Sequence, residues 1–318
     1  MNTNESYNRR TFIKTTTAGV LLGSTAPLLA AKSPSSETLA ATLFKSLTDE
    51  QRKKVTFPWD HDLRHRVDNN WRIVTDRIFE TFDDDQQQMI KEIFLSLHSE
   101  EYAQQVLRQV EEDNGKGGMG KCAVAMFGEP GTGKFEFVFT GRHVTRRCDG
   151  DAVEGAAFGG PIFYGHAAQH FNEKPGHPGN AYWFQAKRAN ELFQALDGKQ
   201  RKQALLQHSR GEHGTKTVAL KTKAADMEGL PMSGLSADQQ ELADLVMHDL
   251  LALFRKVDRE ESMKLIKKNG FEDLHLSYFQ KEDIGDDGVW DVWQIEGPRM
   301  VWYFRGKPHV HTWVNIKA

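Results

Sequence analysis

Two stretches of this 318-residue chain return later at an offset of about 150 residues. "LFKSLTDEQRKKV" from Leu43 is echoed by "LFQALDGKQRKQAL" from Leu192, and "FDDDQQQMIKEIFLSL" from Phe82 by "LSADQQELADLVMHDLL" from Leu235. A constant period is the mark of duplication, and it constrains the fold more than any single motif can. Each half also closes on a strand-rich block, "CAVAMFGEPGTGKFEFVFTGRHVTRRC" in the first and "LHLSYFQKEDIGDDGVWDVWQIEGPRMVWYF" in the second. The sequence therefore predicts an α+β protein of two pseudo-repeated halves, each with amphipathic helices followed by antiparallel strands.

Local patterns fill in this plan. Leu39, Leu43, Phe44 and Leu47 recur at helical spacing, and Thr48 before Asp49-Glu50-Gln51 reads as the N-cap of a following helix. From Asp83 to Val110 an amphipathic helical pattern places Met89, Ile90, Ile93, Phe94 and Leu97 on one face, until "DNGKGGMG" breaks it. The first half spans 32–150 and the second 191–318. The intervening 151–190 is rich in Gly and Pro yet carries Phe158, Phe163, Tyr164, Tyr182, Trp183 and Phe184, as expected of an irregular excursion packed over a site.

The N-terminus sets the compartment. Arg9 and Arg10 precede Phe12 and Ile13, and an uncharged, mildly apolar stretch runs from Thr15 to the small pair Ala30-Ala31. Residues 1–31 resemble a twin-arginine signal peptide, which implies the twin-arginine export machinery as a partner and a periplasmic or secreted location. Beyond Lys32 no run approaches about 18 apolar residues, so no stable membrane span is expected in the mature protein. A net charge of -3 without any block of like charge excludes nucleic acid as an expected partner. Cys122 and Cys148 flank a predicted hairpin, and their spacing leaves a disulfide open.

Several motifs bear on chemistry. "GEPGTGK", Gly128–Lys134, fits a phosphate-loop pattern, but Phe135 stands where magnesium chemistry needs Ser or Thr. The following "FEFVFTG" alternates as a strand, not as a helix whose N-terminus holds an anion, so the motif is a hairpin turn and no nucleotide is expected. His309 and His311 are i, i+2 in a predicted last strand, which sets both imidazoles on one face, where they can grip a metal ion. The predicted strands of this C-terminal stretch run from Val289 to Ile316. A third ligand is then needed, and His143 at a strand end or His166 could supply it; His166 and His170 would share a face if their segment were helical. Asp149, Asp151 and Glu154 lie near enough in sequence to orient an imidazole, although turn chemistry accounts for them as well. Arg72 and Arg142 are available to bind a carboxylate or phosphate in a fork geometry. Trp290, Trp293, Trp302, Tyr303 and Trp313 read as buried strand residues rather than as a ligand platform.

Taken as an ordered set, "LTDEQR", "LDGKQR", "NNWRIV", "VAMFGEPGTGKFEFVFTGRHVTRRCDGD", "IEGPRMVWYF" and "HVHTW" resemble the exported bacterial family catalogued as domain of unknown function number 3500. The resemblance implies a Gly-x-His strand end and a terminal His-x-His, here His143 and His309 with His311. Arg142 stands where relatives are expected to carry a further histidine. No activity comes with the resemblance. The residues themselves point to a single transition-metal site, zinc, copper or iron, supporting a hydrolase or an oxidase. The alternative is a periplasmic protein that binds a small ligand without catalysis.

Overall fold

The structure, a computed structural model, describes residues 35–150, 152–167, 181–223, 226–280, 292–306 and 308–318. The signal reading at 1–31, together with Asp151, His170 and Trp290, lies outside the described residues. From its N-terminal side the chain forms α1 (Ser36–Ser46), α2 (Asp49–Val55), β1 (Thr56–Phe57), α3 (Ile78–Thr81), α4 (Asp84–Ser96), α5 (Ala103–Asn114), β2 (Ala123–Glu129), β3 (Lys134–Gly141), β4 (Val144–Cys148) and β5 (Ile162–His166). It continues with α6 (Trp183–Ala195), α7 (Gly198–Ala204), β6 (Leu205–Leu206), β7 (Leu230–Pro231), α8 (Ala237–Leu251), α9 (Lys256–Lys268), β8 (His275–Phe279), β9 (Val292–Gly297), β10 (Met300–Arg305) and β11 (Val310–Ile316). No helix among the described residues is long and apolar enough to cross a membrane.

Helix starts follow local chemistry. Thr48 accepts from the backbone N–H of Gln51 while the Gln51 side chain accepts from the Thr48 N–H, and Asp197 with Gln200 does the same for α7. Each of these glutamines then reaches the glutamine of a second capping box: Gln51 Nε2 donates to Gln86 at 2.7 Å and Gln200 Nε2 to Gln239 at 2.8 Å. One polar side chain thus satisfies a helix end and docks one helix start on another.

All the strands join one mixed sheet in the order β1-β2-β3-β4-β5-β11-β10-β9-β8-β6, with β7 on β8. The short outer strands β1 and β6 pair parallel with β2 and β8, and β5 meets β11 antiparallel in the middle. The motif at Gly128–Lys134 joins β2 to β3 as an antiparallel hairpin. Within 151–190, the described residues supply the central strand β5 and the start of α6. Of the aromatic residues expected to cover a site, Phe158, Phe163, Tyr164, Tyr182 and Trp183 are buried in the core and Phe184 is partly buried against it.

The predicted helix from Asp83 to Val110 is two helices. Between α4 and α5, Ser99 N–H donates to the Leu253 carbonyl and Arg255 N–H to that of Leu97, so His98 and Phe254 form a short bridge that ends α4. Helical periodicity carries no information about such a tertiary hydrogen bond.

Helices cover one face of the sheet with the larger apolar core, which takes Tyr164, Trp302, Val310, Val314 and Ile316 from the central strands. The other face packs Phe163, Val301, Tyr303 and Trp313 with Val67 of an irregular segment and Val218 at the end of a short 3-10 helix. Trp293, Trp302, Tyr303 and Trp313 are buried to within about 1% of complete, so they are packing residues. Cys122 and Cys148 are buried and free, and no disulfide joins them.

Candidate metal centre

His309 and His311 flank the first residue of β11, and strand alternation places both side chains on the non-helical face. His311 pairs across β5 with Gly165, where an added Cβ would stand 2.1 Å from the Val310 carbonyl oxygen. Only glycine permits that approach of β5 to β11, and it leaves open the space over His311. His143 comes from the turn between β3 and β4, where it adopts a left-handed φ of 56°. That conformation costs a non-glycine residue on the order of 1 kcal/mol, and such outliers gather at functional sites. The turn is anchored by the Gly165 N–H, which donates to the His143 carbonyl at 3.0 Å.

These choices bring three imidazoles together. The ring centroids of His143 lie 4.9 Å from His309 and 5.0 Å from His311, and those of His309 and His311 are 4.6 Å apart. One ligand nitrogen from each falls within 4.8 Å of the others, and no other described residue joins the group. The Nε2 atoms of His309 and His311 are 2.9 Å apart. Two nitrogens at about 2.0 Å from a tetrahedral zinc ion stand about 3.3 Å apart, so this spacing is close to a ligating one.

Carboxylates fix two of the rings. His143 Nδ1 donates to Asp113 Oδ2 at 3.0 Å, and His311 Nδ1 donates to Glu212 Oε2 at 2.8 Å. A carboxylate only accepts, so each contact puts the proton on Nδ1 and leaves the Nε2 lone pair for an ion. Asp113, at the end of α5, is itself held by the Ala167 N–H at 3.0 Å. Glu212 is held by Trp313 Nε1 at 3.1 Å and by Arg305 Nε at 3.2 Å. Burial alone would raise the Glu212 carboxyl, but the His311 hydrogen bond and the Arg305 charge bring it below the usual carboxylate range.

Burial first, and then the neighbouring charges, push the imidazoles the other way. His309 is lowered to about 3 and His311 to about 4, the latter despite the upward pull of Glu212. At neutral pH both are uncharged and able to ligate. His309 is the half-buried member, while His143 and His311 are buried, so the centre opens to solvent on the His309 side.

A family model described as "Protein of unknown function (DUF3500)" matches residues 31–316. The chain belongs to this family. No curated protein and no solved structure matched the chain. In this DUF3500 chain, the structure brings His143, His309 and His311 together and leaves His166 outside the group. His166 ends β5 in a strand, not a helix, and pairs with Val310 on the opposite face from His311. There its Nδ1 lies 3.9 Å from Asp113 Oδ1. Arg72 and Arg142 meet elsewhere, in a cleft of about 200 Å³ with Arg77 and Lys121 that also reaches Asp113.

Sequence reasoning passed over Asp113 and Glu212. Asp113 precedes the helix-ending "NGKGG", and Glu212 sits in the aperiodic "RGEHG". A lone acid at a helix end or in a glycine-flanked loop was the available signal, but neither lies near a histidine ligand in sequence. Asp149 and Glu154, which do lie closer to His143, form no part of the three-histidine group.

Proposed function

We propose that this protein is a metal-dependent hydrolase whose single ion is held by His143, His309 and His311. The observation that carries the reading is a three-imidazole set whose two buried members are each fixed by a carboxylate. Sets of three protein ligands with an open fourth position are those of catalytic rather than structural zinc. Because all three ligands are neutral, an ion held there keeps its full charge, and it supplies activation of a water molecule and polarisation of a substrate oxygen. The chain's own part is to orient and to exclude. Asp113 and Glu212 hold the tautomers, Trp313 and Phe163 keep water from beneath the site, and the His309 side admits the substrate.

The test is elemental analysis of protein purified without chelator, beside the double variant H309A/H311A. About one equivalent of zinc, lost in the variant, supports the proposal. One equivalent of copper or iron redirects it to oxidase chemistry, and unchanged metal content in the variant sinks it. A second reading, a small-anion-binding protein without catalysis, is favoured by the cleft that holds Arg72 and Arg142. None of Arg72, Arg142 and Lys121 forms an ion pair among the described residues. Phosphate binding by metal-free protein, abolished in R72Q/R142Q, would support that reading.

We infer further that the two halves descend from one duplicated unit and that the protein is exported by the twin-arginine route. Duplication is supported by the matched capping boxes of α2 and α7, the sheet order that mirrors itself about β5 and β11, and the reciprocal hydrogen bonds at His98 and Phe254. Export is supported by Arg9-Arg10 and the small-residue end at Ala30-Ala31. Retention of an R9K/R10K variant in the cytoplasm would bear export out. Normal export of that variant would refute the route.

A further inference from the structure

Arg305 stands beside the metal centre for a reason that the metal ligands do not explain. In the β10–β11 ladder it is the direct partner of His311, so its side chain rises from the same face of the sheet as the ligating imidazole. Cross-strand partners have β-carbons about 5 Å apart, which puts a guanidinium within easy reach of anything bound between the histidines. The side chain is 19% exposed and carries a full positive charge.

Its known contact uses only part of it. Nε faces Glu212 Oε1 at 3.2 Å. Glu212, however, already accepts from His311 and Trp313, and a carboxylate so supplied needs no second guanidinium nitrogen. Arg305 Nη2 is buried and has no hydrogen-bond partner among the described residues. A buried N–H without an acceptor is costly, and native structures retain one chiefly where a ligand, ion or water completes it. Were Arg305 present only to neutralise Glu212, a lysine would serve. The planar fork is the shape that receives two oxygens of one carboxylate or phosphate group.

We propose that Arg305 is the anion-binding arm of the metal centre, and that the substrate carries a small oxyanion group, carboxylate or phosphate, which spans the ion and the Arg305 fork. The inference rests on the metal reading above and assigns its substrate class. It also gives the site polarity: Glu212 orients His311 through one side of the strand pair, while Arg305 both steadies Glu212 and offers its free nitrogen to the substrate. Arg72 and Arg142 lie in a separate cleft and are not needed for this contact.

The experiment is calorimetric titration of the full chain, loaded with one equivalent of zinc, using inorganic phosphate in one arm and acetate in the other. Wild type, R305K and R305M are compared, each with its zinc content measured. The expected result is oxyanion binding by the zinc-loaded wild type that falls at least tenfold in R305K and is lost in R305M, with zinc content unchanged. Tighter binding in the phosphate arm assigns a phosphate-bearing substrate, and tighter binding in the acetate arm a carboxylate. The proposal is overturned if the zinc-loaded wild type binds neither anion, or if either variant with its full zinc binds them within threefold of wild type. R305K keeps the charge beside Glu212, so it decides the question should R305M fail to fold. Protein that takes up no zinc at all refutes the metal reading and this one with it. A zinc-loaded protein whose oxyanion binding ignores Arg305 refutes only this one.

Discussion

Replacing Glu212 by glutamine tests whether the carboxylates make the histidine cluster a metal centre. The side chain keeps its shape, but its two ends are no longer equivalent. Glu212 Oε2 receives the His311 Nδ1 proton at 2.8 Å, while Oε1 receives the N–H of Trp313 at 3.1 Å and faces Arg305 Nε at 3.2 Å. An amide offers one acceptor and one donor, so one side must oppose N–H to N–H. If the amide NH2 faces Trp313 and Arg305, the buried Trp313 donor loses its acceptor and Arg305 loses its counter-charge. If it faces His311, the ring proton must move to Nε2, the atom that the ion needs. Loss of such an outer partner costs about 10- to 100-fold in metal affinity, roughly 1.4 to 2.7 kcal/mol. The assay is zinc competition against a chromophoric chelator at pH 7 for wild type and E212Q, with folding checked by circular dichroism. A folded E212Q within threefold of wild-type affinity would refute the argument that Glu212 sets the tautomer.

Further outcomes are expected from the same physical reasoning. In metal-free protein, His311 has a folded pKa of about 4 against an ordinary value near 6.5, so its contribution to stability is present above pH 6.5 and is lost as pH falls toward 4. The loss approaches roughly 3 kcal/mol, and urea midpoints measured between pH 7 and 4.5 should flatten in H311Q. Glu136 is fully buried between Arg147 at 2.7 Å and Arg64 at 3.1 Å, so E136A leaves two guanidinium groups uncompensated and should cost about 3 to 5 kcal/mol in denaturant unfolding. Burial pushes the Cys122 thiol up to about 12 and raises Cys148 as well, so neither should react with a thiol reagent at pH 8 until the protein is unfolded. Rapid labelling of native protein would contradict this burial.

The candidate site was legible in the sequence to the extent that it is local. His309 and His311 could be paired because a strand's two-residue period is an intrinsic property of extended backbone. His143 could be named as their third member only as one of two candidates. The choice between His143 and His166 was made by register: β5 pairs His166 with Val310, turning it to the helix side, while Gly165 clears the space that His143 enters from its turn.

Arg72 and Arg142, named from the sequence as available to bind an anion, line a cleft that none of the three histidines lines. Asp113 and Glu212 reach the histidines from α5 and from the irregular segment before β7, across 30 and 99 residues of chain. No periodicity spans such distances.

Helix caps, the alternating strands, the hairpin at Gly128–Lys134 and the membership in a DUF3500 family are therefore what the sequence by itself determined, because each depends on contacts within a few residues or on ordered motifs. The pairing of β5 with β11 in the middle of the sheet, the break of one predicted helix at His98, the free state of both cysteines and the carboxylate partners of the three histidines were decided only by tertiary structure. Each of those depends on which distant surfaces bury one another, and burial is a property of the whole chain.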